Sequence, residues 1–218
     1  MPDHKQPYVD RPLGEYLEEA ASGAPTPGGG SVGALSAALG TTMASMAANF
    51  TVGKKKYRDV EPEVKELLGK LGDARTRLLE ATQRDTEAYA GVGAAYSLPK
   101  ASDEEKAARK AAIQSALRNA MGPPHDALLA AVDALRATRR LLDIANRNLI
   151  TDVGVAALLL EAGARSAWLN VAINLNGIDD EALVSNTRAA CEAALEETAR
   201  LARETAEGVD AALAKGAK

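Results

Sequence analysis

The sequence predicts an all-α chain, a single-domain helical bundle of about six or seven helices of the up-and-down type, spanning residues 1–218. Two observations carry that expectation. Apolar residues recur at spacings of three and four along the whole chain, and alternation of period two is absent. Alanine supplies 46 of the 218 residues and only 3% are aromatic, so the strongest helix former must also fill much of the core. Helices of this composition approach one another closely through small side chains. A formal net charge of −4 leaves little self-repulsion to oppose collapse.

The elements follow in order. A first helix is expected over Pro12–Ala21, with Leu13, Tyr16, Leu17 and Ala20 on one face. Ala24–Gly30 (A-P-T-P-G-G-G) reads as a loop, because two prolines and three glycines oppose regular structure. Ser31 is the expected N-cap of a second helix carrying Val32, Leu35, Leu39, Met43, Met46 and Phe50. Gly53 breaks the chain before the basic run Lys54, Lys55 and Lys56. A long third helix runs from Pro62 to Tyr96 and stops ahead of Pro99. Ser102 and Glu105 have capping-box spacing and open a fourth helix, expected to stop near Gly122-Pro123-Pro124. A fifth carries Leu128, Leu129, Val132, Leu135 and Leu142 and ends at Asn146-Arg147-Asn148. Thr151 or Asp152 caps a sixth, with Val155, Leu158, Ala162, Leu169 and Ile173 turned inward. Asn176-Gly177 separates it from a last helix over Asp180–Ala214. No repeat or long linker divides the chain.

Several functions are disfavoured at once. One cysteine, Cys191, and two histidines, His4 and His125, leave no multi-Cys zinc site or His-rich centre, so no metal is expected. Cys191 lies among alanines on a helical stripe and reads as core. A pI near 5.4 argues against a nucleic-acid partner. The first 25 residues lack a long apolar run, so neither a secretory signal nor a membrane span is expected, and the chain reads as cytoplasmic.

The sharpest chemical signal is on the third helix. Val64, Leu71, Leu78, Asp85 and Val92 are seven apart, with Leu67, Ala74, Ala81, Ala88 and Ala95 as the neighbouring stripe. Asp85 therefore occupies a seam position that packing would give to an aliphatic residue. Tyr89, four residues on, shares its face. Such a carboxylate either has a partner, an arginine or a helix N-terminus, or is kept for proton transfer with a pKa raised by desolvation.

Other candidates are less specific. Thr26, Pro27, Gly28, Gly29, Gly30 and Ser31 open a helix, and read either as a tight helix start or as backbone N–H groups that hold an anion. Lys54–Lys56 read as a solvated charge run or as a contact for a polyanionic ligand tail. Asn146, Asn148, Thr151 and Asp152 cluster ahead of an apolar helix, where capping is the simplest role. Asn170 and Asn174 share a face and read as amides that bridge helices.

A-P-T-P-G-G-G-S-V (Ala24–Val32) and A-N-F-T-V-G-K-K-K-Y (Ala48–Tyr57) resemble the cyclodeaminase/cyclohydrolase family of folate one-carbon enzymes. The resemblance continues through D-T-E-A-Y (Asp85–Tyr89), S-L-P-K (Ser97–Lys100) and D-E-E-K (Asp103–Lys106). It resumes at I-T-D-V-G-V-A (Ile150–Ala156), L-N-V-A-I-N (Leu169–Asn174) and G-I-D-D (Gly177–Asp180). It implies an all-helical fold, a homodimer or higher homo-oligomer, and a folate cleft between helices or subunits. It also implies Asp85 as the catalytic acid/base, a tetrahydrofolate derivative as substrate and no further cofactor.

The reaction first expected is hydrolysis of 5,10-methenyltetrahydrofolate to 10-formyltetrahydrofolate. The Gly-rich loop, Tyr89, Asn148 and Asp152 would contact substrate, and Lys54–Lys56 the glutamate carboxylates. No formiminotransferase-like stretch precedes the motifs, which favours the cyclohydrolase reading. The alternatives are formiminotetrahydrofolate cyclodeamination, which releases ammonia, and a non-catalytic helical assembly protein.

Overall fold

Six α-helices make an up-and-down bundle, and a computed structural model describes them over residues 6–216, with no strand among the described residues. His4 lies outside that range. The helices are α1 (Leu13–Ala21), α2 (Gly29–Asn49), α3 (Glu61–Tyr96), α4 (Asp103–Ile144), α5 (Ile150–Leu175) and α6 (Glu181–Gly216). The core is formed chiefly where α2, α3, α4 and α5 meet, with α6 packed on α4 and α5.

The seam of α3 is as the heptad spacing predicts: Val64, Leu71 and Leu78 are fully buried, with Ala74 and Ala81 beside them. The capping box of α4 is also present, since Glu105 N–H donates to Ser102 Oγ and Ser102 N–H to Glu105 Oε2, both at 3.2 Å. Cys191 is buried, and burial pushes its thiol pKa up.

The expected fourth and fifth helices are one. α4 runs for 42 residues straight through Pro123 and Pro124, both buried. A proline inside a helix removes an N–H, and Pro124 would otherwise serve the carbonyl of Ala120. Asn174 Nδ2, from α5, donates to that carbonyl at 3.3 Å. A side chain from the neighbouring helix thus compensates one of the lost bonds, and a break is not required.

Two expected caps are absent. α2 begins at Gly29, with Gly28 as N-cap, so Ser31 lies inside the first turn. α5 is entered from a 3₁₀ turn at Arg147–Leu149 and has no side-chain cap, so Thr151 and Asp152 also sit within its first turn.

The largest departure concerns which faces are buried. α2 turns Ala34, Ala37, Ala38, Ala44, Ala47 and Ala48 inward, while Val32, Leu39, Met46 and Phe50 are exposed. α5 buries Ala156, Ala157, Ala164 and Ala167, and leaves Leu158 63%, Leu169 68% and Ile173 66% exposed. Val155 and Ala162 are exposed as well. Leu13 and Leu17 of α1 are likewise exposed, and Tyr16 is the side chain that α1 buries.

Backbone proximity is the cause. A Cβ on Gly163 would lie 2.6 Å from Ala37 Cβ and 2.9 Å from both Ala37 N and Gly33 O, so α5 rests directly on the main chain of α2. Only small residues permit that approach, and the large apolar residues are left on the opposite faces. α2 is also, among the described residues, the helix long and apolar enough by length and composition to cross a membrane. Here its small face packs against α3, α4 and α5.

This contact predicts a paired stability result. Gly163→Ala should destabilise by about 1–3 kcal/mol, since the facing atoms are backbone and cannot rotate away. Gly69→Ala, on α3 with nothing within 4 Å of a new Cβ, should stabilise by roughly 0.5–1 kcal/mol through helix propensity. Chemical denaturation of both variants is the measurement, and equal effects would remove the close-approach argument.

Candidate functional site

Asp85 sits on α3 where the seam passes under the start of α2. The first N–H groups of any helix lack an intrahelical acceptor, and the N-terminus carries partial positive charge. Ser31 N–H donates to Asp85 Oδ2 at 2.9 Å. Gly30 is required for this approach, because a Cβ there would collide with Asp85 Oδ1 and lie 2.6 Å from its Cγ. The Gly-rich segment is therefore a tight helix start, and one of its N–H groups meets the side chain of Asp85.

Two opposing effects act on that carboxyl group. Desolvation by burial raises its pKa, and the Ser31 N–H lowers it. Desolvation is the larger, so the net shift is upward from the ordinary carboxylate value. No ion pair to Asp85 occurs among the described residues; the neighbouring Arg84 is taken by Asp126 at 2.9 Å.

Asp85 opens into a cleft of about 440 Å³ between the Gly-rich loop, the C-terminal half of α3, the middle of α4 and the end of α5. Thr26, Gly28, Gly29 and Gly30 form one wall, Tyr89, Val92 and Tyr96 continue the α3 stripe, and Asn170, Ile173 and Asn174 face them. Tyr89 and Tyr96 are each 52% exposed, so their rings are available to a flat ligand. Pro27 is buried and Ser31 fully so. Ser31 supports Asp85 and does not line the cleft.

The spacing Asp85–Tyr89–Val92–Tyr96 already placed Tyr96 on this face, although it carried no expectation. Asn170 and Asn174 do bridge, as their shared face suggested, but they also line the cleft. Asn174 Nδ2 donates to Ala120 O and to Asn170 O, the latter at 2.8 Å, and Asn170 Nδ2 donates to Ser166 O at 2.9 Å.

The other expected site residues lie elsewhere. Lys54, Lys55 and Lys56 are exposed after the far end of α2. α2 has 21 residues, which at ~1.5 Å per residue puts them about 30 Å from the Gly-rich start. Asn148 and Asp152 are at that same far end, because Asn146 N–H donates to Thr51 Oγ1 at 2.8 Å and Arg147 N–H to Tyr57 Oη at 3.3 Å. Within one chain, then, Asp85, Tyr89, Thr26 and the three glycines come together, and the three lysines, Asn148 and Asp152 form a second group.

The upward shift of Asp85 has a consequence for stability. Its ionised form costs the fold stability above its folded pKa, and the cost is absent below the unfolded value of about 3.9. Asp85→Asn should therefore be more stable than the parent at pH 8, with the gain shrinking as pH falls through the raised value. Denaturant titrations at pH 8, 6.5 and 5 check the sign; a loss that deepens with pH would mean that the N–H bond outweighs desolvation.

Residues 12–193 match the formiminotransferase-cyclodeaminase family. The chain is 42% identical to a methenyltetrahydrofolate cyclohydrolase of Methylorubrum extorquens over 193 residues, 85% of this chain and 89% of that protein. It is 32% identical to the formimidoyltransferase-cyclodeaminase of Rattus norvegicus, covering 84% of this chain but 34% of that longer protein. The crystal structure of formiminotetrahydrofolate cyclodeaminase from Thermotoga maritima superposes with a TM-score of 0.78 at 32% identity, covering 96% of this chain and 99% of that one. A match over most of the chain, in sequence and in fold, places the protein in the formiminotransferase-cyclodeaminase family of folate-processing enzymes.

Proposed function

We propose that the chain hydrolyses 5,10-methenyltetrahydrofolate to 10-formyltetrahydrofolate in the Asp85 cleft. The observation that carries this reading is a desolvated carboxylate with no ion-pair partner among the described residues, at the wall of a cleft flanked by exposed aromatic rings. The methenyl bridge between N5 and N10 is a delocalised cation. Its arrival brings a positive charge to the carboxylate and favours the ionised form. Asp85 accepts a proton as water oxygen adds to the methenyl carbon, then returns it to N5 as the carbon–N5 bond breaks. The remaining hydroxyl proton leaves to solvent as the formyl carbonyl forms. The extensive identity to the Methylorubrum extorquens cyclohydrolase supports this direction.

Cyclodeamination is the second reading, supported by the likeness to the Thermotoga maritima enzyme. There Asp85 would protonate departing ammonia as N10 closes on the formimino carbon. Two assays separate the readings: loss of methenyl-folate absorbance, and ammonia released from 5-formiminotetrahydrofolate. Activity on the first substrate supports the proposal, and activity on the second alone transfers it to the cyclodeaminase. Inactivity on both returns the chain to a helical assembly role. In whichever assay is active, Asp85→Asn should lower kcat by at least the ~10²–10⁴-fold typical of a lost acid/base.

We also assign the exposed face of α2 and α5 to a second copy of the chain. Scattered apolar residues are ordinary on a surface, but a run along two packed helices marks a contact. α2 and α5 are antiparallel, with Gly33 against Ser166 and Gly40 against Leu160. A two-fold axis through the middle of their outer face would bring Lys54–Lys56, Asn148 and Asp152 of one copy toward the Asp85 cleft of the other. Leu169→Asp, outside the cleft lining, should give a monomer by light scattering with turnover reduced. Replacing the three lysines by glutamine should raise KM for a polyglutamylated folate more than for the monoglutamate, with kcat moving less. Equal effects on both tail lengths would leave these lysines as solvated charges.

A further inference from the structure

The structure points to Tyr16 as a positioning residue for Asp85. Three hydrogen bonds meet at Ser31 beneath the cleft. Tyr16 is 3% exposed and Ser31 0%, and their hydroxyl oxygens are 3.0 Å apart. Ser31 Oγ lies 2.9 Å from the carbonyl oxygen of Thr82, which can only accept. The single Ser31 hydroxyl proton is therefore committed to Thr82, and the Tyr16 hydroxyl must be the donor to Ser31. The same Ser31 donates its main-chain N–H to Asp85. Tyr16 thus pins, through Ser31, the N–H group that holds the carboxylate in place.

The N-terminal segment is built to deliver that hydroxyl. Tyr16 packs edge-on against Tyr8, with ring centroids 5.4 Å apart. Tyr8 N–H donates to Gln83 Oε1 of α3 at 3.0 Å, and Arg11 pairs with Glu19 at 2.9 Å. This segment is thereby tied to the turn of α3 that carries Thr82 and Asp85. Burial raises the Tyr16 pKa further above the neutral range, so the phenol stays protonated and remains a donor. Among the described residues, the ionisable groups near Asp85 are Tyr16 from α1, and Tyr89 and Tyr96 from its own helix, with the adjacent Arg84 held by Asp126. α2 presents its main chain, while α4 and α5 present Leu117, Ala120, Asn170, Ile173 and Asn174.

The test reads Asp85 directly, so it stands whether or not the proposed reaction does. The Asp85 carboxyl carbon is titrated by NMR in the full chain, in Tyr16→Phe, in Ser31→Ala and in the double variant. Loosening the Ser31 N–H removes a contact that favours the ionised form, so the Asp85 midpoint should rise in each single variant. The double variant should match Ser31→Ala, because both changes act on one path. Where the parent turns over methenyl-folate, Tyr16→Phe should lower kcat about two- to tenfold, the range of one neutral hydrogen bond, with KM little changed. An unchanged Asp85 midpoint in folded Tyr16→Phe, or additive shifts in the double variant, overturns the assignment. Should Tyr16→Phe fail to fold, an unchanged midpoint in Ser31→Ala overturns it equally. A parent without folate turnover defeats the proposed function and leaves the titration to decide the role of Tyr16.

Discussion

The contact on which the rest of the molecule depends is the backbone-to-backbone packing of α2 on α5. Gly163 lies against the main chain of Ala37 and Gly33, and Gly40 against Leu160 and the Ala156 carbonyl. Helices at this distance admit a large side chain such as Leu160 only opposite a glycine, and alanine fills much of the rest of the contact. The loss of apolar area per residue is offset by dense packing, since many close atom pairs each contribute a little dispersion energy. The same contact sets the position of Gly29–Ser31 relative to α3, and hence of the N–H group that meets Asp85. It also fixes which faces remain outside. The core and the exposed apolar surface are two results of one steric rule.

At Asp85 the balance of forces is local and legible. A carboxylate held by a helix N-terminus alone would have its pKa lowered, because N–H groups and the helix dipole stabilise negative charge. Here one N–H bond is set against substantial burial, and burial prevails. Under the proposed reaction, a cationic ligand entering the cleft would shift that balance toward the ionised carboxylate. Such coupling would give the seam position its use in the proposed reaction. An arginine in the same place would hold the carboxylate permanently ionised and occupy the space that a cationic substrate needs.

The sequence carried the helical class, the extent of α3, the capping box of α4 and the seam position of Asp85. Each rests on a local pattern that survives folding. The buried faces of α2 and α5 were misread because periodicity marks where large apolar residues lie and is silent on whether the core or a partner covers them. The break assigned at Pro123–Pro124 failed for a different reason. Whether a proline ends a helix depends on who serves the carbonyl it abandons, and Asn174 is fifty residues away in sequence. The grouping of Lys54–Lys56 with Asp85 rested on the family resemblance, and spacing alone does not say that a 21-residue helix separates them.

The two reactions considered for the cleft share their reacting centre, a carbon between N5 and N10, and differ in whether water or ammonia is exchanged there. A single carboxylate can serve either, so Asp85 does not discriminate between them. Discrimination would fall to the groups that meet the exchanging molecule, and the amides of Asn170 and Asn174 line the cleft with Asp85. Asn174 Nδ2 donates to two main-chain carbonyls and Asn170 Nδ2 to one, which leaves each side chain an oxygen, and Asn170 one N–H, to offer. Those oxygens accept from water and from an imino N–H alike, but only the second needs room for an exocyclic nitrogen fixed to the folate carbon. Under the proposed reading, selectivity between hydrolysis and deamination would turn on the space between these amides and Asp85. Asn174 is bound to the carbonyl left open by Pro124, so the continuity of α4 holds that amide in place.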